Sequence, residues 1–306
     1  MGTLQINGFV ELFGMKRLNM KYFITYPIFT DCQIRCPYCF HKKDFDNKNK
    51  CGPSFTVDEY LVWRDSNIVE DAEDIVLQFH AGEISTDYNT NYLVSKVLSK
   101  LDIEKTYILT NGLGSLDNYK KLLDNIKNLK TFGFTYHREI LDKNPSLKDR
   151  FYENIEYFKN NNIPMYVKEL LILKYKEDIL KHKSIMENKG FTFKIQDFKG
   201  YKLGEDFEDF KKYTKEDIDL ISPEYIHSGC FCECLKGYKN VIIRGGWNSG
   251  DIIACWIDPC VIGSITENTY YKDFMIFLNK NKKILEVMLE DGEKIYKGNY
   301  YRDRNE

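Results

Sequence analysis

Apolar and polar positions follow two rhythms along this chain. Runs rich in β-branched and aromatic residues recur at 22–29, 74–79, 105–109, 131–135, 165–173 and 191–195, and this composition predicts strands. Between them lie charged segments with helical periodicity, over roughly 57–70, 90–101, 116–129, 147–162 and 177–189. In the third of these, Leu116, Tyr119, Leu122, Leu123 and Ile126 share one helix face. Strand–helix alternation predicts a parallel sheet with crossover helices. The expected fold class is α/β, with six β/α units in sequence. Further on, 240–244 and 251–254 read as two strands, and the Gly, Asn and Ser residues between them predict a hairpin.

Composition narrows the function classes. The chain has 306 residues, 43% hydrophobic and 29% charged, which excludes disorder, collagen and coiled coil. The net charge of −2 provides no global basic field, so nucleic acid is a poor candidate substrate. No apolar run approaches the roughly 20 residues of a membrane-crossing helix. The first residues lack a secretory signal pattern. The expectation is a cytoplasmic protein with reduced thiols.

The cysteines carry the chemistry. Of nine, three lie at Cys32, Cys36 and Cys39, five at Cys230, Cys232, Cys234, Cys255 and Cys260, and Cys51 stands alone as an unremarkable thiol. Clustered thiols in a reducing compartment read as metal or catalytic sites. The first cluster, Cys32-Gln-Ile-Arg-Cys36-Pro-Tyr38-Cys39, has the spacing C-x3-C-x2-C. Three thiolates on one loop can hold three irons of a cubic cluster and leave the fourth open. A structural zinc site wants four ligands, and His41 is the nearest candidate fourth.

This motif, with the aromatic Tyr38 before the third cysteine, resembles the signature of radical S-adenosylmethionine (SAM) enzymes. The resemblance implies a partial (β/α)6 TIM-like barrel and a [4Fe–4S] cluster on Cys32, Cys36 and Cys39 whose open iron binds SAM. It also implies that Tyr38 contacts the adenine, and that reductive cleavage of SAM yields a 5′-deoxyadenosyl radical. In such barrels chemistry sits at the C-terminal ends of the strands. After the second strand, Ala81-Gly82-Glu83-Ile84 resembles the family's Gly-Gly-Glu-Pro element, with Glu83 for the amino group of SAM. Ala81 stands where the family has glycine, a change that adds only a methyl. Thr110 and Asn111 follow the third strand, a place for contacts to the SAM ribose or carboxylate, and Gln196 ends the sixth as an adenine or methionine contact. His137 and Arg138 follow the fourth strand and are candidates for SAM or an anionic substrate. Lys168 and Glu169 interrupt the apolar fifth strand, which requires them to face the cavity or pair. His182, in a charged helix, reads as solvent-facing, and His227 as no ligand.

The second cluster surrounds the hairpin. Five thiols there are hard to explain as packing. Cys234-x15-Gly250-x4-Cys255, with Cys260 following, resembles the auxiliary-cluster domain called SPASM, or twitch in its shortened form. The resemblance implies one auxiliary [4Fe–4S] cluster, while zinc is the alternative. The expected organisation is an N-terminal arm at 1–19, a barrel core at 20–205, a connecting helix at 206–228, a small auxiliary hairpin/helix domain at 229–270, and a C-terminal helix and tail at 271–306. The resemblance implies hydrogen abstraction from a peptide or protein side chain, or from a small metabolite, with an electron donor such as flavodoxin or ferredoxin. Cys32 lies too near the start to leave room for a leader-peptide-recognition domain in front, which weakens the peptide expectation. A non-enzymatic zinc scaffold is the remaining alternative.

Overall fold

The two rhythms resolve into parallel strands joined by helical crossovers. Strands β1 (Met20–Pro27), β2 (Ala72–His80), β3 (Lys105–Thr110), β4 (Leu129–Tyr136), β5 (Met165–Leu171) and β6 (Phe193–Asp197) run parallel, each paired to the next. This computed structural model describes residues 20–39, 51–197, 214–222, 238–243, 250–253 and 261–270. Helices α1 (Val57–Asn67), α2 (Asp87–Tyr92, continuing as a π-helix over Leu93–Leu98), α3 (Leu116–Asn125), α4 (Arg138–Leu141), α5 (Pro145–Asn160) and α6 (Lys176–Asn188) fill the crossovers. A further helix, α7 (Lys215–Leu220), follows. The fold class is the α/β partial barrel expected from the alternation. The fifth strand ends sooner than its apolar run, because Leu173–Tyr175 turn as a 3-10 helix.

Local chemistry sets the helix ends. Thr56 and Glu59 form a reciprocal capping box at the start of α1. Thr86 and Ser115 accept from Asn89 N and Asn118 N at the starts of α2 and α3. Past α6, Phe191 N donates to Met186 O and Gly190 N to Glu187 O, with Gly190 at φ 79°. That closure needs a left-handed residue, so glycine ends the helix.

Side chains alternate across each strand. Tyr22, Ile24 and Tyr26 of β1, Ile75, Leu77 and Phe79 of β2, and Phe132 and Phe134 of β4 join the buried core with the helices. Phe132, Phe134, Tyr119 and Phe158 pack ring against ring at centroid distances of 4.8–6.4 Å. The abundant aromatics are thus core.

The hairpin expected after residue 239 is present, as β7 (Tyr238–Ile243) antiparallel to β8 (Asp251–Ile253). Strand β9 (Val261–Ser264) and β10 (Thr269–Tyr270) continue antiparallel. The hairpin also continues the barrel sheet. β7 pairs parallel with β1, from Lys21↔Tyr238 to Thr25↔Ile242, in the order β10-β9-β8-β7-β1-β2-β3-β4-β5-β6. His80 Nε2 lies 3.1 Å from the Ile243 carbonyl and adds a link across that seam. No helix among the described residues is long and apolar enough to cross a membrane.

Candidate active site at the mouth of the barrel

Parallel strands deliver their C-terminal loops to one end of the sheet. The loop after β1 carries Cys32, Cys36 and Cys39. Arg35 Nη1 donates to the carbonyls of Cys32 (2.7 Å) and Ile34 (3.1 Å), and Cys39 N donates to Cys36 O at 3.0 Å. Cys36 is buried, and Cys32 and Cys39 are half-buried. Burial, then Glu83, pushes the Cys32 thiol up to about 12. Cys36 is raised further by burial, then by Cys32 and Cys39. The three sulfurs therefore share one electrostatic neighbourhood that disfavours bare thiolates. Among the described residues no group of three or more His, Cys, Asp or Glu is already gathered as a metal cage. The donor set still suits a thiophilic iron–sulfur group, whose positive charge would offset the burial penalty on three thiolates.

The loops after β2 and β3 close against this one. Glu83 is buried and its carboxylate accepts from Ser85 N (3.0 Å), Ser85 Oγ (2.6 Å), Thr110 Oγ1 (2.6 Å) and Asn111 N (2.6 Å). Burial raises its pKa, and those bonds pull against the rise. Glu83 thus knots two loop ends together. At Gly82 a Cβ would run into the Phe29 carbonyl oxygen, so only glycine fits against the cysteine loop. Ala81 adopts φ 87°. The expectation that its methyl is innocuous is corrected: a Cβ in the left-handed region is strained. Asn111 Nδ2 donates to Gln33 Oε1 at 3.1 Å and lies 3.6 Å from Cys32 Sγ. Thr110 turns the other way, its Oγ1 2.8 Å from the Tyr119 hydroxyl.

Asn89 was not among the sequence candidates. Fully buried on α2, its Nδ2 donates to the carbonyls of Phe29 (3.1 Å), Asp31 (3.2 Å) and Glu83 (2.9 Å). It latches the cysteine loop to the Glu83 loop. An asparagine three positions past a helix-capping threonine carries no sequence signal for this. Next to the latch a cavity of about 690 Å³ opens, lined by Asp31, Cys32, Gln33, Ser85, Asp87 and Arg150 among others.

The far side of the cysteine loop meets β4. Tyr38 stacks on His137 with centroids 6.0 Å apart, and its hydroxyl is 2.9 Å from His137 Nδ1, with Cys36 Sγ 3.4 Å from the same atom. Burial, then the Lys168 ammonium, lowers the His137 pKa to about 4, so its imidazole is neutral near pH 7. Tyr38, given to adenine by the resemblance, is here engaged with His137.

Lys168 and Glu169 leave opposite faces of β5. Glu169 turns toward the helices, accepting from Arg138 Nε at 2.5 Å and Nη2 at 3.2 Å, with His182 Nδ1 at 2.9 Å. Arg138 also pairs with Asp142 at 2.9 Å. Glu169 and Arg138 are therefore bound up in an ion-pair network between β5, α4 and α6. His182 is corrected from solvent-facing to buried, with its Nε2 3.0 Å from the Tyr152 hydroxyl. Lys168 Nζ donates to Gln196 Oε1 at 2.8 Å across the inner face. Cys230, Cys232, Cys234, Cys255, Cys260, His41 and His227 lie outside the described residues.

No protein-family model matches the chain, and no curated protein matches it. Solved structures do. Hexahistidine-tagged anSMEcpe with bound AdoMet aligns at a TM-score of 0.52 and 15% identity, covering 81% of this chain and 75% of that one. Native anSMEcpe with bound AdoMet aligns at 0.50 and 15% identity, over 80% and 78%. Native anSMEcpe with bound AdoMet and Cp18Cys peptide aligns at 0.49 and 15% identity, over 80% and 77%. At this identity the similarity is one of fold: an α/β partial TIM-like barrel of the kind found in radical SAM enzymes.

Proposed function

We propose that this protein is a radical SAM enzyme acting on a peptide or protein side chain. One observation carries the reading. The C-x3-C-x2-C loop follows β1 at the mouth of a partial barrel and is latched there to Glu83 and Asn111. Cys32, Cys36 and Cys39 would hold a [4Fe–4S] cluster. When bound, cluster and SAM supply one electron and a hydrogen-abstracting 5′-deoxyadenosyl radical. The chain's part is positioning. Gly82 lets the second loop approach, Glu83 and Asn111 define its polar edge, and Tyr38 and His137 wall the other side. Ala81, Thr110 and Gln196 complete the proposed SAM surroundings. An auxiliary [4Fe–4S] cluster on thiols drawn from Cys230, Cys232, Cys234, Cys255 and Cys260 would accept an electron from, or orient, the substrate. Flavodoxin or ferredoxin is the proposed donor. The peptide preference rests on the resemblance of 229–270 to auxiliary-cluster domains. A metabolite substrate is the second reading, favoured by the bounded polar cavity beside Cys32.

The test is 5′-deoxyadenosine formation by anaerobically reconstituted protein with SAM and a strong reductant. Host extract is split by ultrafiltration and each fraction added separately. Stimulation by the retained, protease-sensitive fraction supports the peptide reading, and stimulation by the filtrate supports the metabolite. No 5′-deoxyadenosine in any reaction, with zinc instead of iron and sulfide in the protein, would sink both.

A further inference from the structure

We propose that Lys168 and Lys194, side by side on the inner face of β5 and β6, form an anion site that holds a carboxylate or phosphate of the substrate; this rests on the reading of the barrel as the reaction chamber. The two residues are direct partners in the parallel pairing of β5 with β6. Paired strands lie roughly 4.8 Å apart, and partners project from the same face. Two ammonium groups are thus set next to each other. Lys168 is 6% exposed, and its Nζ bonds Gln196 Oε1 at 2.8 Å. Lys194 is half-buried, its Nζ 4.2 Å from the centroid of the Tyr166 ring. The arrangement offers two cations, a side-chain amide and a phenol over one patch.

The nearest carboxylate on β5, Glu169, leaves the opposite face, where Arg138 and His182 hold it. Within β1 to β6, the carboxylate on the inner face is Asp74, at the other end of the barrel and bridged to Lys105 at 3.0 Å. The field of the patch is positive. Burial, then Lys194, depresses the Lys168 pKa to about 8, and Lys168 in turn depresses His137. Like charges placed together out of water raise the free energy of the fold. An anion between them reverses that sign, so the pair is matched to a negative ligand.

The probe is pyridoxal 5′-phosphate. Its aldehyde condenses with a neutral lysine amine to an imine, releasing water, and cyanoborohydride supplies hydride to fix a secondary amine. The phosphate needs the second cation. On anaerobically reconstituted full-length protein, peptide mapping should find Lys168 or Lys194 labelled about tenfold faster than Lys105. Pyridoxal without phosphate should lose that preference. K194Q should slow labelling of Lys168 about tenfold, whereas K105Q should not. Protection by inorganic pyrophosphate, against protection by an Asp/Glu peptide, tells a phosphate source from a carboxylate source, and either supports the site. Labelling spread evenly over surface lysines, or unaffected by K194Q, overturns it. Protection by SAM alone as strong as by either anion assigns the pair to the cofactor and also overturns it. The same preparation is assayed for 5′-deoxyadenosine. Protected lysines with no SAM cleavage would refute the enzyme reading and leave the anion site standing, and cleavage with unprotected lysines would do the reverse.

Discussion

Lys168 and Glu169 are neighbours in sequence and inhabit different parts of the molecule. Glu169 is 1% exposed on the helix side of β5, paired with Arg138 and His182. Lys168 is also buried, on the inner side, where its neighbours are Gln196 and another lysine. The outer network is complementary in charge, as a structural ion pair must be. The inner patch is not. A fold that satisfies one buried charge fully and leaves like charges side by side one residue away separates stabilising groups from groups reserved for a ligand.

The largest expected effect lies at the mouth. C36A should lower 5′-deoxyadenosine formation by more than about a hundredfold and strip iron and acid-labile sulfide from the first cluster, while the folded core, measured by urea unfolding, loses less than about 1.5 kcal/mol. Equal loss of stability and activity would erase the division between mouth and core. On the outer face, E169A leaves Arg138 buried without its main partner and should cost about 3 kcal/mol. A cost near zero would mean the helix-side network is not structural. E83Q replaces one carboxylate oxygen with an N–H group facing donors, and should cost about 2 kcal/mol in the same assay.

The inner face should respond in the opposite direction. K168M removes a buried ammonium and should stabilise the fold by about 1 kcal/mol at pH 7. The folded pKa of Lys168 lies near 8, below its ordinary 10.5, so the unfolded chain binds the extra proton between those values. Wild-type stability therefore rises relative to K168M as pH climbs from about 8 toward 10.5. A constant gap across that window would show that Lys168 is not a charged burden in the fold. The smallest effect belongs to Ala81. A81G removes a Cβ at positive φ and should raise stability by a few tenths to about 1 kcal/mol, and any loss would refute the strain.

Much of the architecture was legible because it is local. Strand and helix periodicities exposed the β/α units, and the Gly/Asn/Ser loop exposed the hairpin. Spacing marked Cys32, Cys36 and Cys39 because metal-ligand motifs are written in short stretches of chain. The Glu83 loop was found by its position after the second strand. Its role as a knot was not, since its donors Ser85, Thr110 and Asn111 come from two loops. Asn89 escaped notice for the same reason: three carbonyls from distant segments meet only after folding. His182 was misread because charged neighbours on a helix do not reveal which face is covered.

The sequence by itself determined the order of elements, the thiol spacing and the presence of two charges in an apolar strand, all consequences of local periodicity and residue chemistry. Only the tertiary structure decided which charge faced which way, that Ala81 sits at φ 87°, and that β7 returns to pair with β1. Side-chain alternation fixes that Lys168 and Glu169 diverge, but the side that each takes is set by the packing of α4, α5 and α6 against one face of the sheet. Strand pairing between segments so far apart in the chain depends on hydrogen bonds that no local pattern encodes.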